Sequence, residues 1–220
     1  MTEPLAGQRG RIIRVIGVDF DNTLVGYDEV LYRVARQRGL IVAQAPRSKL
    51  AIREVIRESP GGDRAWHAVQ TEVYGQCMDE ARLIDGVPRF LERCRAHRTK
   101  VFIISHKTEV AVSEERTVCL REVAAAWMSG HRFFDPDGLA FAPSDVYFES
   151  TRSEKVTRIA QLGCTHFVDD LEETFLDASF PEGVQKILYA PNGRTAVVLP
   201  DVQVCSNWKE ISDYCFSANR

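Results

Sequence analysis

The chain has no low-complexity tract, no internal repeat and no block of like charge. Its 31 acidic and 28 basic residues are interspersed over 220 positions. A nucleic-acid or anionic-membrane partner would ask for a basic patch, so neither is expected. No apolar run approaches the roughly 20 residues that a membrane-spanning helix requires. Arg9, Arg11 and Arg14 precede a short apolar stretch, but Asp19 interrupts it. That stretch reads as a strand rather than a signal peptide or an anchor. The six cysteines form no C-x-x-C pair, and none has a histidine at zinc-site spacing. They are expected as reduced thiols, partly filling the core of a cytoplasmic protein.

What remains is an ordinary globular composition, 45% hydrophobic and 27% charged. The length suits one large domain, or one domain with a small insert. Short runs rich in Val, Ile and Phe recur at "RIIRVIGVDF", "KVFIIS", "DVYFE", "THFVDD" and "KILYA". Stretches with helical periodicity separate most of them. The alternation predicts βα units and an α/β fold whose mostly parallel sheet is flanked by helices.

In such sheets ligands bind beyond the carboxyl ends of the strands, and here those ends are polar. Asp19 and Asp21 follow the first run, Ser105, His106 and Lys107 the second, Asp169 and Asp170 the fourth. After "DVYFE", the segment "STRSEKVTRIAQLG" predicts a helix. Thr151 and Glu154 fit a capping box, Val156, Ile159 and Ala160 its buried stripe, and Gly163 its stop. Lys155 falls in the first turn, where the helix dipole disfavours a cation unless an anion is near.

Residues 26–84 break the alternation. They hold no convincing strand but three helical patterns, "DEVLYRVARQRG", "PRSKLAIREVIRES" and "DRAWHAVQTEVYGQCMDEA". In the second, Ala51, Ile52, Val55 and Ile56 fall on one face, and Pro60-Gly61-Gly62 separates it from the third. A parallel crossover needs only about a dozen residues, and "VPRFLERCRAHR", with Pro88 near its start, supplies that helix. Residues 26–84 are therefore surplus to the sheet, leaving 1–25 and 85–220 as the core. An insert that leaves right after the Asp19 strand stands above its carboxyl end, as a lid would. A merely structural decoration is the alternative.

Four carboxylates at neighbouring strand ends raise one another's pKa unless a cation neutralises them. Oxygen-only ligands select a hard cation, and Mg2+ is content with one or two carboxylates, waters and a substrate phosphate. One carboxylate can attack phosphorus and form an aspartyl-phosphate. A second, two residues on, can pass a proton to the leaving oxygen and then activate water. Lys155 and Ser105 would offset charge on the transferring oxygens. Each piece also has a plainer reading: D-x-D-x-T as an Asx turn, Asp170 with Glu173 as a capping pair, Ser105 as a loop serine. Their order after strands of one sheet favours the joint reading.

The strings "DFDNT", "IISHKT", Lys155 within "STRSEKVTRI" and "HFVDDLEET" resemble, in order, the four motifs of the haloacid dehalogenase superfamily, over roughly residues 12–190. The resemblance implies a Rossmann-like core with a helical cap of the C1 type at residues 26–84. It implies Asp19 as nucleophile and Asp21 as general acid/base, the latter also offering its backbone carbonyl to Mg2+. Ser105 would bind the phosphoryl group and Lys155 offset its charge, while Asp169 and Asp170 hold the metal.

Two departures matter. Asn22 stands where the family more often has glycine. Asp21 is absent from the superfamily's dehalogenases and phosphonatases, so its presence here favours phosphate esters. A phosphonatase would also need a cap lysine, for which Lys49, the only lysine between 26 and 84, is the candidate. Lys107 is open between a substrate contact and a solvated rim, and Tyr27, Arg33 and Arg53 are equally weighted cap contacts. Trp66, Trp127, Phe133 and Phe134 read as packing, and "DPDG" as a turn. The tail "VQVCSNWKEISDYCF" predicts a last strand and helix.

The expectation is a Mg2+-dependent phosphatase acting on a small phosphorylated metabolite through an aspartyl-phosphate. A phosphomutase and a non-catalytic phosphoryl-binding module are the alternatives. A protein phosphatase of the capless kind is disfavoured, since a lid would obstruct a folded substrate.

Overall fold

The structure, a computed structural model, describes residues 14–112, 117–191 and 201–217. Arg9, Arg11 and the first residues of the opening apolar run lie outside them. In chain order the elements are β1 (Val15–Val18), β2 (Val25–Gly26), α1 (Asp28–Gln37), α2 (Lys49–Arg57), α3 (Gly62–Thr71), β3 (Arg82–Leu83), α4 (Val87–Ala96), β4 (Lys100–His106), β5 (Val110–Val112), β6 (Thr117–Cys119), α5 (Leu120–Gly130), β7 (Val146–Glu149), α6 (Arg152–Gln161), β8 (His166–Asp169), α7 (Glu172–Phe175), β9 (Gln185–Tyr189), β10 (Val202–Cys205) and α8 (Trp208–Phe216).

Six strands form one sheet in the order β10-β9-β8-β1-β4-β7, every neighbouring pair parallel. The expected α/β, Rossmann-like class is the one observed, and the tail supplies the last strand and helix. From β1 the chain moves outward to β4 and β7, then crosses back to β8 on the other side of β1. β1 and β8 thus flank the point where strand order reverses, the place where open parallel sheets bind ligands.

Side chains alternate across the sheet with the period of two that a strand imposes. Ile16, Val18, Ile103, Val168 and Ile187 join one apolar layer with α4, α5, α8 and the helices of the insert. Phe102, Ile104, Phe167 and Leu188 enter the other, packed under Val156 and Ile159 of α6. Gly17 has to be glycine for this packing. A Cβ there would stand 2.6 Å from Phe167 Cδ2 and 3.1 Å from Cys164 Sγ, inside van der Waals contact. The four cysteines at 94, 164, 205 and 215 are buried as free thiols, and Trp66, Trp127 and Phe133 are core residues. Among the described residues no helix is long and apolar enough to cross a membrane.

The region 26–84 holds the three expected helices, with corrections. It leaves and returns through an antiparallel ribbon, Val25 opposite Leu83 and Gly26 opposite Arg82, where no strand was expected. Strands of two residues are too short to show an alternation. On α2, Ile52 and Ile56 are buried, but Val55 is 37% exposed. The helix packs mainly against α1 and α3, and the buried arc is narrower than the apolar one. The third pattern ends as α-helix at Thr71 and continues as a π turn over Glu72–Gln76 and a 3-10 turn over Met78–Glu80. A second ribbon, β5 with β6, is also absent from the sequence reading.

Candidate active site

β1 ends at Val18, but the ladder runs one step further, because Asp19 N–H donates to Val168 O at 2.9 Å. That bond fixes the Asp19 backbone beside the end of β8. The chain then turns tightly: Leu24 and Val25 N–H both donate to Phe20 O, and Asn22 N–H to Val25 O. Asn22 adopts φ 60°, a left-handed conformation that asparagine tolerates and glycine adopts freely. The commoner glycine of the motif has its physical reason here. The turn returns the chain to β2, so that Tyr27 comes back beside Asp21.

Lys155 is delivered from α6. The capping box is present, Glu154 N–H donating to Thr151 Oγ1 and Thr151 N–H to Glu154 Oε2, and Gly163 ends the segment at φ 62°. The buried stripe is Lys155, Val156 and Ile159, however, while Ala160 faces solvent. The stripe expected from periodicity leaves Lys155 out, because lysine is usually exposed; here the side chain is 2% exposed. Its Nζ lies 2.6 Å from Asp19 Oδ1 and 2.7 Å from Asp169 Oδ2. Burial works against its charge, yet Asp169 and Asp19 outweigh it and hold the ammonium above the ordinary lysine pKa.

Asp19, Asp169 and Asp170 each bring a carboxylate oxygen within 4.8 Å of the others. Burial, opposed by Lys155 and reinforced by Asp169 and Asp170, pushes Asp19 up to about 7. Asp170 rises to about 6 by burial, with Lys49 opposing. The Asp21 carboxylate points elsewhere: Oδ1 accepts from Tyr27 Oη at 2.6 Å and Lys107 Nζ at 3.1 Å, while Oδ2 lies 2.8 Å from Lys107 Nζ. Asp170 and Glu173 do not form a capping pair, because α7 begins after Leu171. Ser105 ends buried near the top of β4, with no hydrogen bond from its hydroxyl among the described residues.

Sequence reasoning undervalued two lysines. Lys107 is neither at the rim nor free. It is 4% exposed, bound to Asp21, and its Nζ lies 5.6 Å and 5.7 Å from the ring centroids of Phe20 and Tyr74. The signal was its spacing: two residues beyond Ser105, it continues the inward alternation past the strand end. His106 is exposed, its Nε2 3.0 Å from Ser150 O. Lys49, from α2, stands 3.5 Å from Asp170 Oδ2. Burial opposes its charge, but Tyr74 and Asp170 prevail and keep its pKa above the ordinary value. An amine held protonated is a poor imine former, which weighs against the phosphonatase option.

The donor set suits the expected cation. All three clustered ligands are carboxylates, with no imidazole or thiolate among them, the chemistry that hard ions such as Mg2+ select. Beside this cluster a cleft of about 440 Å3 separates the insert from the sheet, with Lys49, Arg53, Asp170, Leu171 and Tyr189 in its walls.

No protein-family model matches the chain, and no curated protein matches it. Solved structures do. A haloacid dehalogenase-superfamily hydrolase from Geobacter sulfurreducens is 17% identical, covering 96% of this chain and 100% of its own, with TM-score 0.53. Protein tyrosine kinase A of Mycobacterium tuberculosis is 15% identical over 94% and 100%, with TM-score 0.59. An L-2-haloacid dehalogenase is 14% identical over 93% and 99%, with TM-score 0.51. The chain therefore has the fold of these proteins over nearly its whole length. Their names span a hydrolase, a kinase and a dehalogenase, so the fold by itself selects no reaction.

The raised carboxyls give a pH signature. Between the ordinary 3.8 and about 7 for Asp19, or about 6 for Asp170, the folded chain holds protons that the unfolded chain has released. Their contribution to stability is present at acid pH and is lost as pH rises through that window. Mg2+ should relieve this by neutralising the ionised cluster. Thermal unfolding is expected to show Mg2+ raising the midpoint by several degrees at about pH 8 and far less at about pH 5. An equal effect at both would remove the cluster as the cation site.

Proposed function

We propose that the chain is a Mg2+-dependent phosphomonoester hydrolase, with Asp19 as nucleophile and a small phosphorylated metabolite as substrate. The supporting observation is the unequal state of its two motif aspartates. Lys155 holds Asp19 through Oδ1 alone, and Oδ2 has no partner among the described residues. Both oxygens of Asp21 are taken by donors. One carboxylate is oriented with an oxygen free to attack, and the other is held for moving a proton.

On this reading Asp19 Oδ2 attacks phosphorus, and the bond from phosphorus to the leaving oxygen breaks as Asp21 gives that oxygen a proton. A water then attacks the aspartyl-phosphate at phosphorus, Asp21 takes its proton, and the Asp19 oxygen leaves as a carboxylate. Lys155 stays beside the reacting oxygens, with Ser105 as a further donor. Asp19, Asp169, Asp170 and the Asp21 backbone carbonyl would hold Mg2+, which supplies the positive charge that lets the carboxylates ionise together and offsets charge on the phosphoryl oxygens. Residues 26–84 act as a cap: Tyr27 and Lys49 both reach the site from it. The dehalogenase reaction is disfavoured, since it has no leaving-group oxygen for Asp21 to protonate.

Phosphate release from an aryl phosphate should depend on Mg2+ and fall by at least roughly 10³-fold in Asp19→Asn. Undiminished activity in that variant, or activity without any metal, would remove Asp19 from the nucleophile's role. A second test separates proton transfer from attack. Tyr27→Phe should lower kcat roughly ten- to a hundredfold for an alkyl phosphate, whose leaving oxygen needs a proton. For 4-nitrophenyl phosphate, whose phenolate leaves unaided, the loss should be slight. Equal losses for both would mean that Tyr27 does not act through Asp21.

A further inference from the structure

The structure separates the three insert side chains that the sequence weighted equally. Arg33 is committed at the surface, its Nε and Nη2 on Glu80 and its Nη1 on Gln37. Tyr27 is committed to Asp21. Arg53 is half-buried in the wall of the cleft beside the carboxylates and has no hydrogen bond or ion pair among the described residues.

Most other charges in that cleft have partners, Glu172 among them. Glu29 pairs with Arg47, Glu80 with Arg33 and Asp170 with Lys49. Asp28 accepts the backbone N–H of Lys49. Arg82 and Glu173 lack partners too, but both stand exposed at the rim and offset one another in sign. Arg53 is thus the cation inside the cleft, rather than at its rim, that has no hydrogen bond or ion pair among the described residues. It sits four residues after Lys49 on α2, so the two share a face about 6 Å apart. Lys49 pairs with Asp170 of the carboxylate cluster, and Arg53 marks the next turn outward.

The walls between are apolar. Leu50 of the insert and Leu171 beyond β8 remain 38% and 37% exposed in the cleft, with Ile84 and Tyr189 alongside. A volume of about 440 Å3 exceeds what a phosphoryl group fills and matches an ordinary small-molecule site.

We infer that this cleft holds the leaving-group part of the substrate, an apolar body carrying a second anionic group, carboxylate or phosphate, that Arg53 receives. The inference rests on the phosphatase reading and narrows its substrates to phosphomonoesters that bear a second acid. Arg53 sets specificity on this account and takes no part in the bond changes.

Binding of non-hydrolysable ligands tests it without turnover. Benzylphosphonate, 4-(phosphonomethyl)benzoate and the corresponding benzene bisphosphonate are titrated calorimetrically with Mg2+ into wild type, Arg53→Ala and Arg53→Lys. In wild type the second acid should tighten binding roughly tenfold or more, and the better of the two acids identifies the source. That ratio should fall to about 1 in Arg53→Ala and recover in part in Arg53→Lys. Equal affinities in wild type, a ratio that survives Arg53→Ala, or no binding of any of the three would overturn the inference. Hydrolysis assays keep the two ideas apart: turnover without the acid advantage rejects the Arg53 site alone, and the acid advantage without turnover rejects the phosphatase reading alone.

Discussion

The structure depends on one buried ammonium placed between two carboxylates. Lys155 Nζ binds Asp19 and Asp169, and by doing so ties α6 to the ends of β1 and β8, the two strands at the reversal of the sheet. Taking each of these ions out of water costs several kcal/mol, which only close pairing offsets. Remove the lysine and two carboxylates stand buried without a counterion. The side chain that makes the fold tolerable there is the one that prepares the site.

The same accounting extends outward. Asp21 is held by Lys107 from the core and by Tyr27 from the insert. Asp170 is held by Lys49, again from the insert. Four carboxylates thus face three ammonium groups; burial first, and the incomplete balance after it, keeps Asp19 and Asp170 above their ordinary pKa. A divalent cation would complete it. The insert supplies part of that compensation, so its position and the charge state of the site are linked physically rather than by proximity alone.

Much of this was legible in the sequence, for identifiable reasons. Strands buried on both faces read as short apolar runs, and the polar residues straight after them stand at the sheet edge where the carboxylates gather. The capping box around Thr151 and Glu154 located α6 to the residue. What periodicity could not show was the fate of charged side chains. Lys155 was placed in the right turn, but Ala160 was given to the buried stripe although it faces solvent. Lys107 stays open between a substrate contact and a solvated rim in the sequence, and Lys49 figures only as a candidate phosphonatase lysine, because only three-dimensional proximity reveals their carboxylate partners. The β2–β3 and β5–β6 ribbons were missed because two or three residues carry no period. Val55 lies on the apolar arc by periodicity, yet the packing of α2 leaves it exposed.

The central claim is that Asp19 becomes covalently phosphorylated. The most direct measurement is to mix the protein with a phosphomonoester and Mg2+, quench in acid during turnover, reduce acyl phosphates with borohydride and map the modified peptide by mass spectrometry. The account predicts modification within the peptide that spans residues 17–25, at position 19. Modification at any other residue, or steady phosphate release with nothing trapped at position 19 at any time point, would contradict it.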